Sequence, residues 1–171
     1  MPPDIALIVE AETDSKKRTL EVLKLAVKKC EAVASSVSFY FNRRGRIIFA
    51  PKPDGPTIST VIEGTMESEG LEDVEDSTDG GLIVWTEPSA LMAVAQDFST
   101  KFGLDISEVG LVWDAKPDTK VKLGDLEAAE GIETLLSRLR GYPEVQSISA
   151  NICQGELDDA KWATIESLVD L

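Results

Sequence analysis

Short runs of β-branched and apolar residues alternate with longer stretches of helical period along this chain, and this alternation constrains the fold more than any other feature. The predicted strands cover 5–10, 37–41, 46–50, 71–77, 82–86, 109–113, 120–123 and 145–152. The predicted helices cover about 16–29, 57–69, 87–103, 126–141 and, in the tail, 156–171. The order β-α-β-β-α-β therefore occurs twice.

This repeated order predicts an α+β fold with helices stacked on one face of each antiparallel sheet. We expect two α/β sandwich modules, of which the second is ferredoxin-like, and an arrangement with one module inserted in the other stays open because the linker between them is short. The predicted domains are residues 1–78 and 79–152, and the tail at 153–171 is expected to pack back on the first domain.

The residue types that are missing or scarce exclude several function classes. Histidine is absent, which removes the commonest general base and the commonest zinc ligand. Cys30 and Cys153 do not form a C-x-x-C pair, and no phosphate-loop, dinucleotide or nucleophile-elbow motif occurs. No apolar run has the length of a membrane helix. We therefore expect a protein that is not an enzyme and has no cofactor, no catalytic residues, no metal site and no membrane contact.

The charge of the chain is unevenly distributed. Residues 1–53 contain ten Lys and Arg against six Asp and Glu, a local net charge of +4. Residues 54–171 contain seven against 25, a net charge of −18. Such asymmetry is typical of a protein with one half that faces a polyanion, although simple solubility accounts for the acidic half equally well.

Two cationic clusters stand out in the basic half. The first fills the opening turn of the first predicted helix, where the helix dipole normally favours acidic residues. The second flanks a predicted hairpin turn at Gly45, and arginine suits bidentate phosphate contacts. Solvated side chains remain the alternative for both clusters. The candidate nucleic-acid-binding residues are Lys16, Lys17, Arg18, Arg43, Arg44 and Arg46.

Two further features have a structural interpretation. Alternation along the strand at 37–41 predicts that Phe39 and Phe41 enter the core and that Tyr40 is exposed. The acidic run at 67–79 has no calcium-loop spacing and is interpreted as a solvated interdomain loop.

The sequence resembles the YebC/PmpR family, which includes mitochondrial translational activators of cytochrome c oxidase. The resemblance is carried by "ALIVEAETDSKKRT" at 6–19 and "SVSFYFNRRGRIIF" at 36–49, followed by "EDVE", "VWTEP" and "VQSISANI" in the family's order. The chain departs from the pattern at Lys17, where the family usually has Asn, and shows no counterpart of the family's basic N-terminal helical domain. The coinciding residues are Glu10, Thr13, Asp14, Arg18, Thr19, Ser36, Val37, Phe41, Gly45 and Ile47.

The resemblance implies α+β modules and a non-enzymatic role. It favours an RNA- or ribosome-binding factor that supports the translation of mitochondrially encoded proteins. The expected location is the mitochondrion, with the cytoplasm as the alternative for a bacterial protein. The partner would be ribosomal or messenger RNA. Two alternatives stay open. One is a DNA-binding transcriptional regulator that uses the same cations. The other is a small-molecule-binding regulatory domain, whose function would be unaffected by charge reversal at both clusters. The oligomeric state is not predicted.

Overall fold

The computed structural model describes residues 4–52, 55–65, 68–77 and 79–170. Both helices and antiparallel sheets are present, so the predicted α+β class is confirmed. The helices are α1 (Lys16–Lys29), α2 (Ile58–Thr65), α3 (Leu91–Phe102), α4 (Leu126–Arg140) and α5 (Asp159–Glu166). The strands are β1 (Leu7–Ala11), β2 (Phe41–Phe49), β3 (Leu71–Asp76), β4 (Leu82–Thr86), β5 (Ile106–Ala115), β6 (Val121–Leu123), β7 (Val145–Ala150) and β8 (Ile152–Gln154).

The chain divides into two compact units, and the second interrupts the first along the sequence. Unit 1 consists of 1–42 and 114–171, whereas unit 2 is the continuous segment 43–113. The predicted boundary between 78 and 79 instead falls inside unit 2, between β3 and β4.

Unit 2 has the element order β2-α2-β3-β4-α3-β5 and a four-stranded sheet in the order β3-β4-β2-β5. This is the ferredoxin-like arrangement, with β4 antiparallel to both β2 and β3. The core of the unit includes Ile47 and Phe49 from β2, Val84 from β4, Val61 from α2 and Phe98 from α3. The helices therefore cover one face of the sheet.

The predicted hairpin across 37–50 is wrong. A 3₁₀ turn at Ser38–Tyr40 leads directly into one nine-residue strand, β2, in which Gly45 pairs with Thr86. A Cβ atom at Gly45 would overlap the side chains of Thr86 and Leu91, so the glycine permits close packing rather than a turn. Because the single strand β2 replaces the two strands predicted at 37–41 and 46–50, the β-α-β-β-α-β unit begins at β2 and not at β1.

Unit 1 pairs β1 antiparallel with β7 and β6 parallel with β8. The predicted last strand is split at Asn151, whose side chain is fully buried. Its Oδ1 accepts from the Ala6 N–H at 2.7 Å, and its Nδ2 donates to the carbonyls of Thr119 at 2.7 Å and Asp4 at 3.0 Å. One buried amide thus ties together three segments that are distant in sequence.

The tail belongs to unit 1. Arg140 on α4 donates to the Leu168 carbonyl at 2.9 Å and to the Asp170 carboxylate at 2.6 Å. Lys161 on α5 forms an ion pair with Glu133 on α4, and the hydrogen bond to that carboxylate raises the pKa of Lys161. These contacts hold α5 against α4.

Candidate nucleic-acid interface

The entrance of α1 is shaped by two threonines. The Thr13 hydroxyl accepts from the Ser15 N–H at 3.1 Å and shares a 2.8 Å hydrogen bond with the Thr19 hydroxyl. Thr19 is buried, whereas the Ser15 side chain makes no capping hydrogen bond to α1. Residues of the "TD-x-x-x-RT" stretch thus set where the helix starts, and the Ser15 side chain caps none of its first N–H groups.

The first cationic cluster lies on this exposed first turn. Lys16, Lys17 and Arg18 are all exposed, and the turn contains no acidic residue. Arg18 pairs with Asp14 at 2.7 Å, with both side chains more than half exposed. Within the described ranges neither lysine makes an ion pair. The turn therefore carries uncompensated positive charge in addition to the helix dipole.

Three more cations extend this surface along α1 and were missed by the sequence reasoning. Lys24, Lys28 and Lys29 are exposed, and Glu21 is the one acidic residue in the helix. Helical spacing puts residues 17, 21, 24 and 28 on one stripe and residues 18, 22, 25 and 29 on the next. The signal was available in the sequence, because α1 alone has six cations against one acid.

The second cationic cluster lies in the interior of β2 and not at a hairpin tip. Arg44 pairs with Glu72 at 2.5 Å, with side chains 20% and 35% exposed. Arg46 pairs with Glu108 at 2.8 Å, and its side chain is only 13% exposed. The prediction of an exposed turn is therefore wrong for both residues. They lie in a continuous strand, where each forms an ion pair with a carboxylate.

Two arginines of this cluster also contact tryptophan rings. The Arg44 guanidinium lies 4.6 Å from the ring centroid of Trp85, and that of Arg43 lies 4.8 Å from the ring of Trp113. Arg46 stands opposite Trp85 in the β2–β4 register. Cation–π contact and ion pairing together make this cluster a structural network of unit 2.

The aromatic residues at 39–41 do not alternate as a strand would. Phe41 is buried in agreement with the prediction, but Phe39 is 61% exposed and Tyr40 is half-buried. The 3₁₀ turn at Ser38–Tyr40 places successive side chains about a third of a turn apart, so the period of two does not apply.

The acidic run is not an interdomain loop, because 71–76 form the edge strand β3 inside unit 2. Besides Glu72, which pairs with Arg44, the edge strand carries three exposed carboxylates that discourage pairing with another sheet: Asp73, Glu75 and Asp76. Glu67 and Thr78 lie outside the described residues. Among the described residues no group of three Cys, Asp or Glu side chains could hold a metal ion, and no helix is long and apolar enough to cross a membrane.

A family model for the second and third domain of TACO1/YebC proteins matches residues 1–152. The probable transcriptional regulatory protein HAH1 of Saccharomyces cerevisiae is 29% identical over 164 residues, which cover 88% of this chain and 57% of HAH1. The transcriptional regulatory protein PmpR of Pseudomonas aeruginosa is 31% identical over 154 residues, covering 88% of this chain and 58% of PmpR.

The likeness extends to a solved structure. The conserved hypothetical protein Aq1575 of Aquifex aeolicus superposes with a TM-score of 0.71 at 26% identity, covering 91% of this chain and 63% of the Aq1575 chain. In each of these three comparisons this chain spans less than two thirds of the other protein. The relatives come from both a yeast and bacteria.

Proposed function

This chain belongs to the TACO1/YebC family through its second and third domains, and from that membership we propose that it is a non-enzymatic factor that binds RNA on the ribosome and supports translation. The observation that carries the proposal is the outer face of α1. Five exposed lysines project from one helix of a chain whose net charge is −14. Such a face attracts a polyanion in spite of the negative net charge of the chain.

The chemistry of α1 favours phosphate contact over reading of base sequence. Base edges in duplex DNA are contacted mainly by Arg or Lys at guanine and by Asn or Gln at adenine, so of these side chains only the lysines of α1 and Arg18 are available for such contacts. The helix "KKRTLEVLKLAVKK" has no Asn or Gln, and its single arginine, Arg18, is paired with Asp14. Lysine contacts to phosphate position a protein without specifying a sequence, which suits folded ribosomal RNA.

The second candidate function is DNA-binding transcriptional regulation, which the names of HAH1 and PmpR favour. It requires the same cations, so binding must be compared on both nucleic acids. We assign the activity to mitochondria in a eukaryotic member and to the cytoplasm in a bacterial one, a proposal that rests on relatives of both kinds.

A salt-titrated binding assay on ribosomes, ribosomal RNA and duplex DNA tests the proposal. If three phosphates contact the first turn of α1, their share of the affinity falls about 20-fold on single-stranded RNA and about 40-fold on duplex DNA between ~50 and ~200 mM salt. The triple variant Lys16→Glu, Lys17→Glu, Arg18→Glu should lose that salt dependence and cosediment poorly with ribosomes. The matched control, Lys120→Glu with Lys122→Glu, reverses exposed lysines elsewhere in unit 1 and should bind normally.

Two results would overturn the proposal. Ribosome binding that is indifferent to salt and to the triple variant would remove the role of α1. Stronger, competing binding to duplex DNA at equal salt would favour the transcriptional alternative over the RNA one.

A further inference from the structure

A partly open cavity of about 470 Å³, with more apolar than polar lining, lies in unit 1 beside α1. Leu20, Leu23 and Val27 of α1 form one wall, and Leu135 and Leu139 of α4 line it from another side. The rest of the lining comes from the segments 4–7 and 31–37, from Val9 and Lys24 and from the aromatic residues Phe39 and Tyr40, and it includes the carboxylates of Asp4 and Glu31. This volume lies in the range of small-molecule sites, which runs from about 300 to about 1,000 Å³.

The mouth of the cavity carries apolar side chains that water should disfavour. Val33 is 84% exposed and Phe39 is 61% exposed, and both belong to the lining. The Phe39 ring lies against that of Tyr40, with centroids 4.3 Å apart and planes tilted by 35°. Exposed apolar groups at a concave site indicate a surface that a ligand covers.

One cation of α1, Lys24, belongs to the cavity lining, and it shares its stripe of the helix with Lys17, Lys28 and the acidic Glu21. The three lysines span about 16 Å along the helix axis, since each residue rises about 1.5 Å. An occupant of the cavity would therefore continue onto a stripe of net positive charge, which suits a molecule with an apolar flat part and a repeating anionic backbone.

We propose that this cavity receives an unstacked base of single-stranded nucleic acid while the adjoining phosphates lie on Lys17, Lys24 and Lys28. The inference rests on the proposed function and adds a preference for single strands. Aromatic rings stack on the face of any base, whereas a base paired in a duplex cannot leave its helix without losing its partner. The hydroxyls of Ser35 and Ser36 in the lining provide hydrogen-bond partners for the base edge.

Fluorescence anisotropy with a labelled 12-nucleotide RNA, alone and annealed to its complement, tests the inference. The whole chain should bind the single strand at least tenfold more tightly than the duplex. Phe39→Ala should weaken single-strand binding about 5- to 100-fold and leave duplex binding unchanged, because it removes one stacking surface. Phe39→Trp should restore single-strand binding, since it restores an aromatic face. Met92→Ala in α3 is the matched control, because Met92 is an equally exposed apolar residue of unit 2.

The outcomes separate this inference from the function on which it rests. If Phe39→Ala binds both RNAs like the parent chain while Lys17→Glu with Lys24→Glu binds neither, the base site is refuted and the phosphate surface stands. If the parent chain binds no RNA at all, both proposals fall. If an apolar carboxylic acid such as decanoate fills the cavity without displacing the RNA, the cavity is a small-molecule site and the inference is wrong.

Discussion

Two groups of three cations lie in different elements of this protein and have opposite surroundings. Lys16, Lys17 and Arg18 occupy the exposed first turn of a helix, and the one ion pair among them lies in solvent. Arg44 and Arg46 lie along a strand, mostly buried, between carboxylates and tryptophan. The same residue types therefore lie on an exposed surface in one unit and in a network of ion pairs and aromatic contacts in the other.

The difference follows from the geometry of the two elements. A helix end leaves side chains and backbone N–H groups open to solvent. A strand in the middle of a sheet has neighbours on both sides at about 4.8 Å, so long side chains lie across the adjacent strands. In unit 2 the neighbouring strand β4 brings Trp85 to Arg44, the neighbouring strand β5 brings Glu108 to Arg46, and Arg44 also reaches Glu72 on β3, the strand beyond β4.

The largest expected effect is on RNA affinity. Lys17→Glu combined with Lys24→Glu should lower affinity for ribosomal RNA at least 30-fold at low salt, because two phosphate contacts become repulsive. Arg44→Met should change the affinity less than threefold, since Arg44 is held by Glu72 and Trp85. Filter binding at constant salt measures both variants. Equal losses of RNA affinity in the two variants would contradict this contrast, because they would mean that the strand cluster contributes directly to binding.

The next effect is on folding stability, and here the strand arginine is expected to matter more than the helix arginine. Arg44→Met should lower the free energy of unfolding by about 1–2 kcal/mol, because it leaves a partly buried carboxylate without its partner and removes a cation–π contact. Arg18→Met is the matched control, with an ion pair of similar length in solvent, and should cost less than about 0.5 kcal/mol.

Urea unfolding of these two variants, with Glu72→Gln and the Arg44→Met, Glu72→Gln double variant completing a cycle, measures the difference. A coupling energy near zero between Arg44 and Glu72 would mean that the strand network contributes nothing to stability, and the contrast with Arg18 would disappear.

The smallest effect concerns the helix dipole and has opposite signs for stability and binding. Lys16→Glu should raise the free energy of unfolding by about 0.3–1 kcal/mol, because a carboxylate suits the positive end of α1 better than an ammonium group does. The same variant should weaken RNA binding. Thermal unfolding at low salt, with Lys16→Gln as the neutral intermediate, checks the order Glu above Gln above Lys. The reverse order would mean that Lys16 is there for stability and not for a partner.

The sequence alone determined most of the elements of this fold. The predicted bounds of α1 and β4 agree with the structure, and the helical period of α4 was also predicted. Each of these elements combines regular apolar spacing with clear end signals. The α+β class and the family followed from the element order and from motifs such as "TD-x-x-x-RT". Local patterns of this kind depend only on neighbours along the chain.

The tertiary structure alone decided three other points. Gly45 permits a close approach to Thr86 and Leu91, and this cannot be distinguished from a turn glycine until the facing residues are known. Because β2 is one strand and not a hairpin of two, the ferredoxin-like unit covers 43–113. Partners 28 and 62 residues away along the chain decide that Arg44 and Arg46 are enclosed, whereas Lys16 and Lys17 remain exposed. Burial and pairing are set by residues distant in sequence, so no local pattern can carry them.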